Sequence, residues 1–314
     1  MMAHYISMRE KYEGCILFYR LGDFYELFFD DAETVSKELD LALTGKSCGL
    51  EERAPMCGVP FHSVDSYLNR LVKKGYKVAI CEQLEDPKNA KGIVKRDVIR
   101  LVTPGTNIDV QSMDEGSFSF LMSVVYAGSH FGISIADLTT GRFQVTECGS
   151  LNMLQDEISK YSPKEIICNK DILMTGFNPE ELRARLGITV NILDDDHFSD
   201  DATRESLESH FNVKTPDALG LSDFPTGINA AGSVLIYLKE TQKTELKNFL
   251  KIEPYVSSSF LLIDSSSRRN LELTETLREK RRKGSLLWVL DHTKTAMGAR
   301  KLRGFIEEPL ISPE

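Results

Sequence analysis

Three strand-like segments in direct succession constrain the fold of this chain most strongly. Residues 117–126, 130–137 and 142–147 are rich in apolar and β-branched side chains, which favour strands. The connections at 127–129 and 138–141 are short and contain glycine, as β-hairpin turns do. Three strands joined in this way form an antiparallel sheet, so an all-helical fold is excluded for this region.

Helices and strands alternate after this sheet. Three strands followed by alternating helices and strands is the element order of a ribonuclease-H-like fold, which we predict for residues 117–248. The predicted strands span 165–168 and 188–193, and the predicted helices span 151–160, 179–186, 201–211 and 229–243.

The first hundred residues predict a smaller, mixed α/β domain at 1–106, followed by a linker at 107–116. Apolar residues at three- and four-residue steps predict a helix that begins at Asp23. Ser63 is expected to cap a second helix that ends before Gly75. The predicted strands span 15–21, 77–84 and 94–102, and residues 86–89 are predicted to form a turn.

Residues 249–314 predict a third segment that is entirely α-helical. Apolar stripes indicate two long helices at 269–283 and 286–307, joined at residues 284–285. Two helices with wide apolar faces have too little partner surface within this chain. We therefore expect a segment that is truncated from a larger domain.

The charge and the cysteine content narrow the classes of function. The net charge of −9 and the pI of about 5.3 argue mildly against a general nucleic-acid binder. The charge is uneven, however, because eleven basic and only four acidic residues lie between Arg268 and Arg303.

The six cysteines form no C-x-x-C pair, which favours reduced, buried thiols. No apolar run reaches the ~20 residues of a membrane helix and no signal core is present, so we expect a cytoplasmic protein.

The segment GDFYELF at 22–28 is the first candidate for a functional site. Asp23 and Glu26 fit a capping arrangement at a helix start, and Phe24 fits a core position, so a purely structural role is open. Alternatively, an aromatic ring at an exposed helix start can stack on a nucleic-acid base, which contributes about 1–3 kcal/mol. A carboxylate two residues later can hydrogen-bond that base.

A second motif has a simpler interpretation. Gly45-Lys46-Ser47 resembles the end of a phosphate-binding loop, but that pattern requires a glycine where this chain has Asp40. The sequence also lacks a buried strand before the triplet. We therefore predict an ordinary loop.

An ordered set of motifs resembles the MutS family of DNA mismatch-recognition proteins. The set runs along essentially the whole chain, which makes it far more specific than any single motif. Its members are GDFYELF at 22–28, PMCGVPFH at 55–62, VAICEQ at 78–83, RLVTPGT at 100–106, SRRNLEL at 267–273 and LDHTKTAMGAR at 290–300.

The resemblance implies roles for individual residues. Phe24 would wedge into the minor groove of duplex DNA and stack on a mispaired or unpaired base, and Glu26 would hydrogen-bond that base. Arg96 would contact a backbone phosphate. Insertion kinks the duplex at a cost of roughly a few kcal/mol, and a mismatched step is cheaper to deform. The implied ligand is double-stranded DNA with mismatches or small insertion or deletion loops.

The resemblance also implies what each domain does. Residues 1–106 correspond to the mismatch-binding domain, 117–248 to the connector domain and 249–314 to the start of the core or lever domain. The family's ATPase, with ATP and Mg²⁺, would lie beyond this chain, so we expect no enzyme activity, cofactor or metal within it. A MutL-type partner would bind the connector. The full-length protein would be a homodimer, this fragment a monomer, and both would belong to the nucleoid region of the bacterial cytoplasm.

Two other functions stay open on the residues alone. A ribonuclease-H-like unit could be a Mg²⁺-dependent nuclease, with Asp137 at the end of a strand as a metal ligand. Its expected partners are poor, because Glu165 starts its strand and residues 194–196 resemble a solvated loop. A turn at Asp137 is therefore favoured. The chain could instead be a protein-interaction module whose acidic stretch, 194–223, meets a basic partner.

Overall fold

The computed structural model contains two compact units. The first comprises Met1–Asp109 together with Leu238–Glu245, and the second comprises Val110–Tyr237 together with Leu246–Glu314. The described residues are 1–47, 53–85, 94–107, 118–256, 260–261, 263–279 and 281–311. The predicted turn at 86–89 and all but the first residue of the predicted linker lie outside them.

A six-stranded sheet with three helices forms most of the first unit. The strands are β1 (Cys15–Leu21), β2 (Phe24–Phe28), β3 (Thr44–Lys46), β4 (Ala54–Pro60), β5 (Lys77–Gln83) and β6 (Arg96–Val102). The helices are α1 (Met2–Lys11), α2 (Phe29–Leu39) and α3 (Val64–Lys73). The strand order is β3-β4-β2-β1-β5-β6, in which β1 and β5 are parallel and the other neighbours are antiparallel.

The two faces of this sheet bury different cores. Tyr25 and Leu27 of β2 pack with apolar residues of α2 and α3 on one face. On the other face, Tyr5 of α1 packs against Tyr19 and Phe28, with ring centroids 5.5 and 5.0 Å apart. Successive side chains of β2 thus enter opposite cores, as the period of a strand requires.

Residues 24–28 form a strand, so the helix predicted from Asp23 is wrong over its first turn. Gly22 adopts φ +59° in the tight turn that joins β1 and β2. Because β2 pairs with both β1 and β4, its backbone hydrogen bonds are satisfied on both edges. This pairing outweighs the helical spacing of its apolar residues. The helix begins at Phe29 instead, so the proposed capping arrangement at its start does not form.

The second predicted helix is confirmed as α3, but its predicted cap is wrong. The hydroxyl of Ser63 donates to the carbonyl of Pro60 at 3.3 Å and accepts no hydrogen bond from the helix. Gly75 follows the helix with φ +89°, a conformation that favours glycine.

A second six-stranded sheet organises the other unit. Its strands are β7 (Phe120–Ala127), β8 (His130–Asp137), β9 (Arg142–Cys148), β10 (Glu165–Cys168), β11 (Thr189–Ile192) and β12 (Glu253–Pro254). The order is β11-β10-β7-β8-β9-β12, in which β7, β8 and β9 are antiparallel and β10 and β11 run parallel to β7. The accompanying helices are α4 (Leu151–Tyr161), α5 (Pro179–Leu186), α6 (Asp200–Phe211) and α7 (Pro225–Gln242). Every strand and helix predicted between 120 and 242 is present within a few residues.

Two glycines in this unit allow close backbone approaches. A Cβ atom at Gly132 of β8 would lie 2.2 Å from the carbonyl oxygen of Thr226, at the start of α7. A Cβ atom at Gly232 would lie 2.4 Å from Thr203 of α6. A larger residue at either position would force the helix away from its neighbour.

No helix among the described residues has the length and apolar character needed to cross a membrane.

The last segment is broken into short helices, so the two long helices predicted at 269–283 and 286–307 are wrong. The helices are α8 (Ser265–Asn270), α9 (Leu286–Leu290) and α10 (Ala296–Glu307), and β12 adds a strand to a segment predicted as all-helical. Local side-chain hydrogen bonds cause the breaks. The carboxylate of Glu272, which has φ +47°, accepts from the backbone N–H of Leu277 at 2.6 Å. Asp291 accepts from both the N–H and the hydroxyl of Thr293, at 2.9 and 2.6 Å.

Candidate functional site

Strand β2 places Phe24 and Glu26 on the same face of the first sheet. Phe24 is the first residue after the turn, and 47% of its surface is exposed. Phe28, two positions beyond Glu26 on the same face, is fully buried against Tyr5. The core therefore ends between these two aromatic residues, and the ring of Phe24 projects beyond it. Buried residues of β2 on both faces of the sheet hold the strand in place. The exposed ring of Phe24 is therefore well placed to contact a ligand.

Glu26 forms an ion pair that the sequence did not reveal. Its Oε2 atom lies 2.5 Å from Nζ of Lys46, and the two side chains are 18% and 35% exposed. The ammonium also lies 5.6 Å from the centroid of the Phe28 ring. The site thus carries a carboxylate whose charge is neutralised before any ligand arrives.

The loop predicted at 45–47 is wrong because residues 44–46 form the edge strand β3. They pair with residues 54–56 of β4, and β4 in turn pairs with β2. Two strand pairings are therefore needed to bring Lys46 beside Glu26. No local spacing in the sequence contains that information, which is why this residue of the site was missed.

Gly58 lies on β4 directly beside the carboxylate-bearing residue of the site. It is the cross-strand partner of Glu26. A Cβ atom there would lie 3.8 Å from Cδ1 of Phe24 and 3.9 Å from Cγ of Glu26, which is ordinary van der Waals contact. Glycine therefore leaves the surface between the ring and the carboxylate open.

Arg96 lies on the same sheet, but its guanidinium is engaged within the protein. The residue is only 9% exposed. Its Nε donates to the carbonyl of Arg20 at 2.9 Å, and Nη1 donates to the carbonyl of Val94 at 2.8 Å. The guanidinium also lies 5.4 Å from the ring centroid of Tyr19. These contacts give Arg96 a structural role, and its contact with a phosphate stays a prediction.

The alternative metal site at Asp137 does not assemble. Asp137 is fully buried, and its Oδ1 atom accepts from the N–H and the hydroxyl of Thr139 at 2.9 and 2.7 Å. It therefore closes the turn that the sequence favoured. Glu165 is also buried, where it accepts from the hydroxyl of Tyr237 at 2.6 Å. Within the described residues, no group of three or more histidine, cysteine or acidic side chains is arranged to hold a metal ion.

The fold and the site together define a class of protein. It is a multidomain α/β protein whose first unit presents an exposed aromatic ring and a neutralised carboxylate at the end of a well-packed sheet. Comparison with known families assigns the domains. The sequence profile of MutS domain I matches residues 1–111, that of MutS domain II matches 119–250, and that of MutS domain III matches 266–314.

Curated relatives give the same result. The chain is 55% identical to the DNA mismatch repair protein MutS of Lachnoclostridium phytofermentans, over 99% of the chain and 34% of that relative. It is 50% identical to the proteins of the same name from Ruminiclostridium cellulolyticum and Acetivibrio thermocellus, over 99% of the chain and 36% of each relative. The chain belongs to the MutS family, and it spans about a third of the length of the curated relatives it matches.

Proposed function

We propose that this chain recognises mismatched or unpaired bases in double-stranded DNA, with Phe24 as a wedge. The observation that carries the proposal is the half-exposed ring of Phe24 at the end of a strand whose other aromatic residues are buried. The names of the curated relatives, all DNA mismatch repair proteins, support the same function.

The wedge distinguishes base steps by the free energy that their deformation costs. Insertion of the ring from the minor groove unstacks one step and kinks the duplex, which costs roughly a few kcal/mol. Stacking of the ring on the displaced base returns about 1–3 kcal/mol. At a mismatch the step is already weakly stacked, so the balance favours insertion there. Recognition then requires no particular base sequence.

Glu26 supplies the polar contact to the displaced base. Its carboxylate would otherwise repel the phosphates, and the ion pair with Lys46 removes most of that repulsion. When a base approaches, Glu26 exchanges this partner for a hydrogen bond to the base edge. The ammonium of Lys46 then contacts the phosphate backbone and adds affinity that falls with salt.

The remaining domains have proposed roles of their own. The order β9-β8-β7-β10-β11 supports a ribonuclease-H-like connector. In this proposal the connector binds a MutL-type partner, and the following segment is the start of the core domain. ATP and Mg²⁺ belong to a further domain of the full-length protein, which acts as a homodimer in the bacterial cytoplasm near the nucleoid. The 314-residue chain by itself is a monomer that binds DNA weakly.

The test is fluorescence anisotropy of two labelled duplexes at low salt, one matched and one with a single unpaired thymine. The wild-type chain is expected to bind the second duplex more tightly. Phe24→Ala is expected to lower the ratio of the two affinities at least about fivefold, because roughly 1 kcal/mol or more of stacking free energy is lost. Affinity for the matched duplex should change little.

Ile99→Ala is the matched control, because Ile99 is a similarly exposed apolar residue (43%) on the edge strand β6 of the same sheet. It should leave both affinities unchanged. Equal binding of the two duplexes by the wild-type chain, or equal loss of discrimination in both variants, contradicts the proposal.

A further inference from the structure

Arg20 contacts several parts of the hairpin that carries the wedge. It is the cross-strand partner of Tyr25, so it lies on the face opposite to Phe24. Its Nε donates to the carbonyl of Gly22 in the turn at 2.5 Å. Its Nη1 lies 3.4 Å from a carboxylate oxygen of Glu82, which also accepts a hydrogen bond from the Tyr25 hydroxyl.

The same guanidinium supports a second exposed aromatic residue. It lies 3.9 Å from the ring centroid of Phe61, which is 41% exposed and directly follows β4. The backbone N–H of Phe61 donates to the carbonyl of Asp23 at 3.0 Å. The corner at the end of β4 and the turn between β1 and β2 are therefore joined by one hydrogen bond and by the stacked guanidinium.

We propose that Arg20 is a positioning residue for the wedge, which it holds in its binding-competent direction without touching DNA. This inference rests on the proposed function. Gly22 at φ +59° leaves the turn with few side-chain restraints of its own. Arg20 replaces them, because its planar fork binds Gly22 and Glu82 while its flat face covers Phe61. A wedge fixed before binding loses less conformational entropy when it inserts.

Arg20→Lys separates positioning from charge. Lysine keeps the positive charge but lacks the rigid fork and the flat stacking face. If Arg20 positions the wedge, Arg20→Lys lowers discrimination between the two duplexes about fivefold and leaves matched-duplex affinity within about twofold. If Arg20 only attracts phosphates, Arg20→Lys keeps both affinities and Arg20→Met weakens both duplexes equally. That second pattern overturns the proposal.

A double-mutant cycle measures whether Arg20 and Phe24 are coupled in duplex discrimination. A general loss of stability does not produce such coupling. Because Arg20 acts through Phe24, Arg20→Lys should cost no further discrimination in a chain that already carries Phe24→Ala. Additive losses would contradict the inference. Urea unfolding of each variant establishes that the comparison is made between folded proteins.

Amide hydrogen exchange tests the same residue in the absence of DNA. In Arg20→Lys, the amide of Phe61 should exchange at least about tenfold faster, while amides within the paired strands β2 and β4 keep their rates. Unchanged exchange at Phe61 overturns the positioning role whatever the binding data show. If exchange accelerates but Phe24→Ala itself has no effect on discrimination, the proposed function fails while Arg20 still orders the turn.

Discussion

The aromatic end of β2 and the acidic end of β8 occupy similar places in their sheets, yet only the first is suited to bind a ligand. Both lie beside a hairpin turn, and both were candidates from the sequence. Asp137 is fully buried and its Oδ1 atom accepts two hydrogen bonds within its own turn, whereas Phe24 is half exposed and Glu26 forms a partly exposed ion pair with Lys46. The difference shows that a candidate residue needs exposure as well as the right chemistry.

The largest expected effect is on stability, and it should differ between two aromatic residues of the same strand. Phe28→Ala should reduce the free energy of unfolding by about 3–5 kcal/mol, because it removes a fully buried ring. Phe24→Ala should cost less than about 1 kcal/mol, since much of its ring is exposed. Urea unfolding of both variants measures the contrast, and similar losses would place Phe24 in the core.

A second, smaller effect is expected at the turn of the other unit. Asp137→Ala should cost about 1–3 kcal/mol of stability, because the backbone N–H and hydroxyl of Thr139 lose their acceptor. Asp137→Asn retains an acceptor oxygen and should cost less. Addition of millimolar Mg²⁺ should leave the unfolding midpoint of the wild-type chain unchanged. A midpoint that rises with Mg²⁺ and no longer does so in Asp137→Asn would restore the metal-site hypothesis.

The buried thiols predict a loss of stability at alkaline pH. Burial raises the pKa of Cys81, Cys148 and Cys168 from 9.0 to about 12, and all five described cysteines are free, as the sequence predicted. Because the pKa values are higher in the folded state, the stabilisation by the buried neutral thiols is complete well below pH 9, begins to fall as the pH approaches 9, and is lost as the pH rises toward 12. The loss should be on the order of 1 kcal/mol at pH 9. Urea unfolding under reducing conditions between pH 7 and 9 measures it, and Cys81→Ala should reduce the slope.

The smallest expected effect on stability concerns the ion pair of the site. Lys46→Met should cost less than about 1 kcal/mol, because the pair is partly exposed. Its effect on DNA binding should be larger, since an unneutralised Glu26 repels the phosphates. Matched-duplex affinity should fall, and the additional substitution Glu26→Gln should restore the part of the loss that comes from repulsion by Glu26. If Glu26→Gln gives no restoration, the two residues are not coupled.

Local patterns predicted much of the fold and part of the site. The hairpin strands β7, β8 and β9 were predictable because glycine turns and runs of apolar and β-branched residues are local signals. The helix expected at Asp23 failed because pairing with β4, thirty residues later, decides the conformation of β2. Lys46 was missed for the same reason. Phe24 and Glu26 were assigned through a family resemblance, since their spacing alone permitted a structural role.

The most direct test of the central claim is the fluorescence of 2-aminopurine placed beside the unpaired base of a duplex. This base analogue brightens when it loses its stacking neighbour. We predict a rise in fluorescence when the wild-type chain is added, no rise with a fully paired duplex, and no rise with Phe24→Ala at a concentration where both proteins bind. An equal rise with wild type and Phe24→Ala would show that the step opens without the ring, and would contradict the wedge.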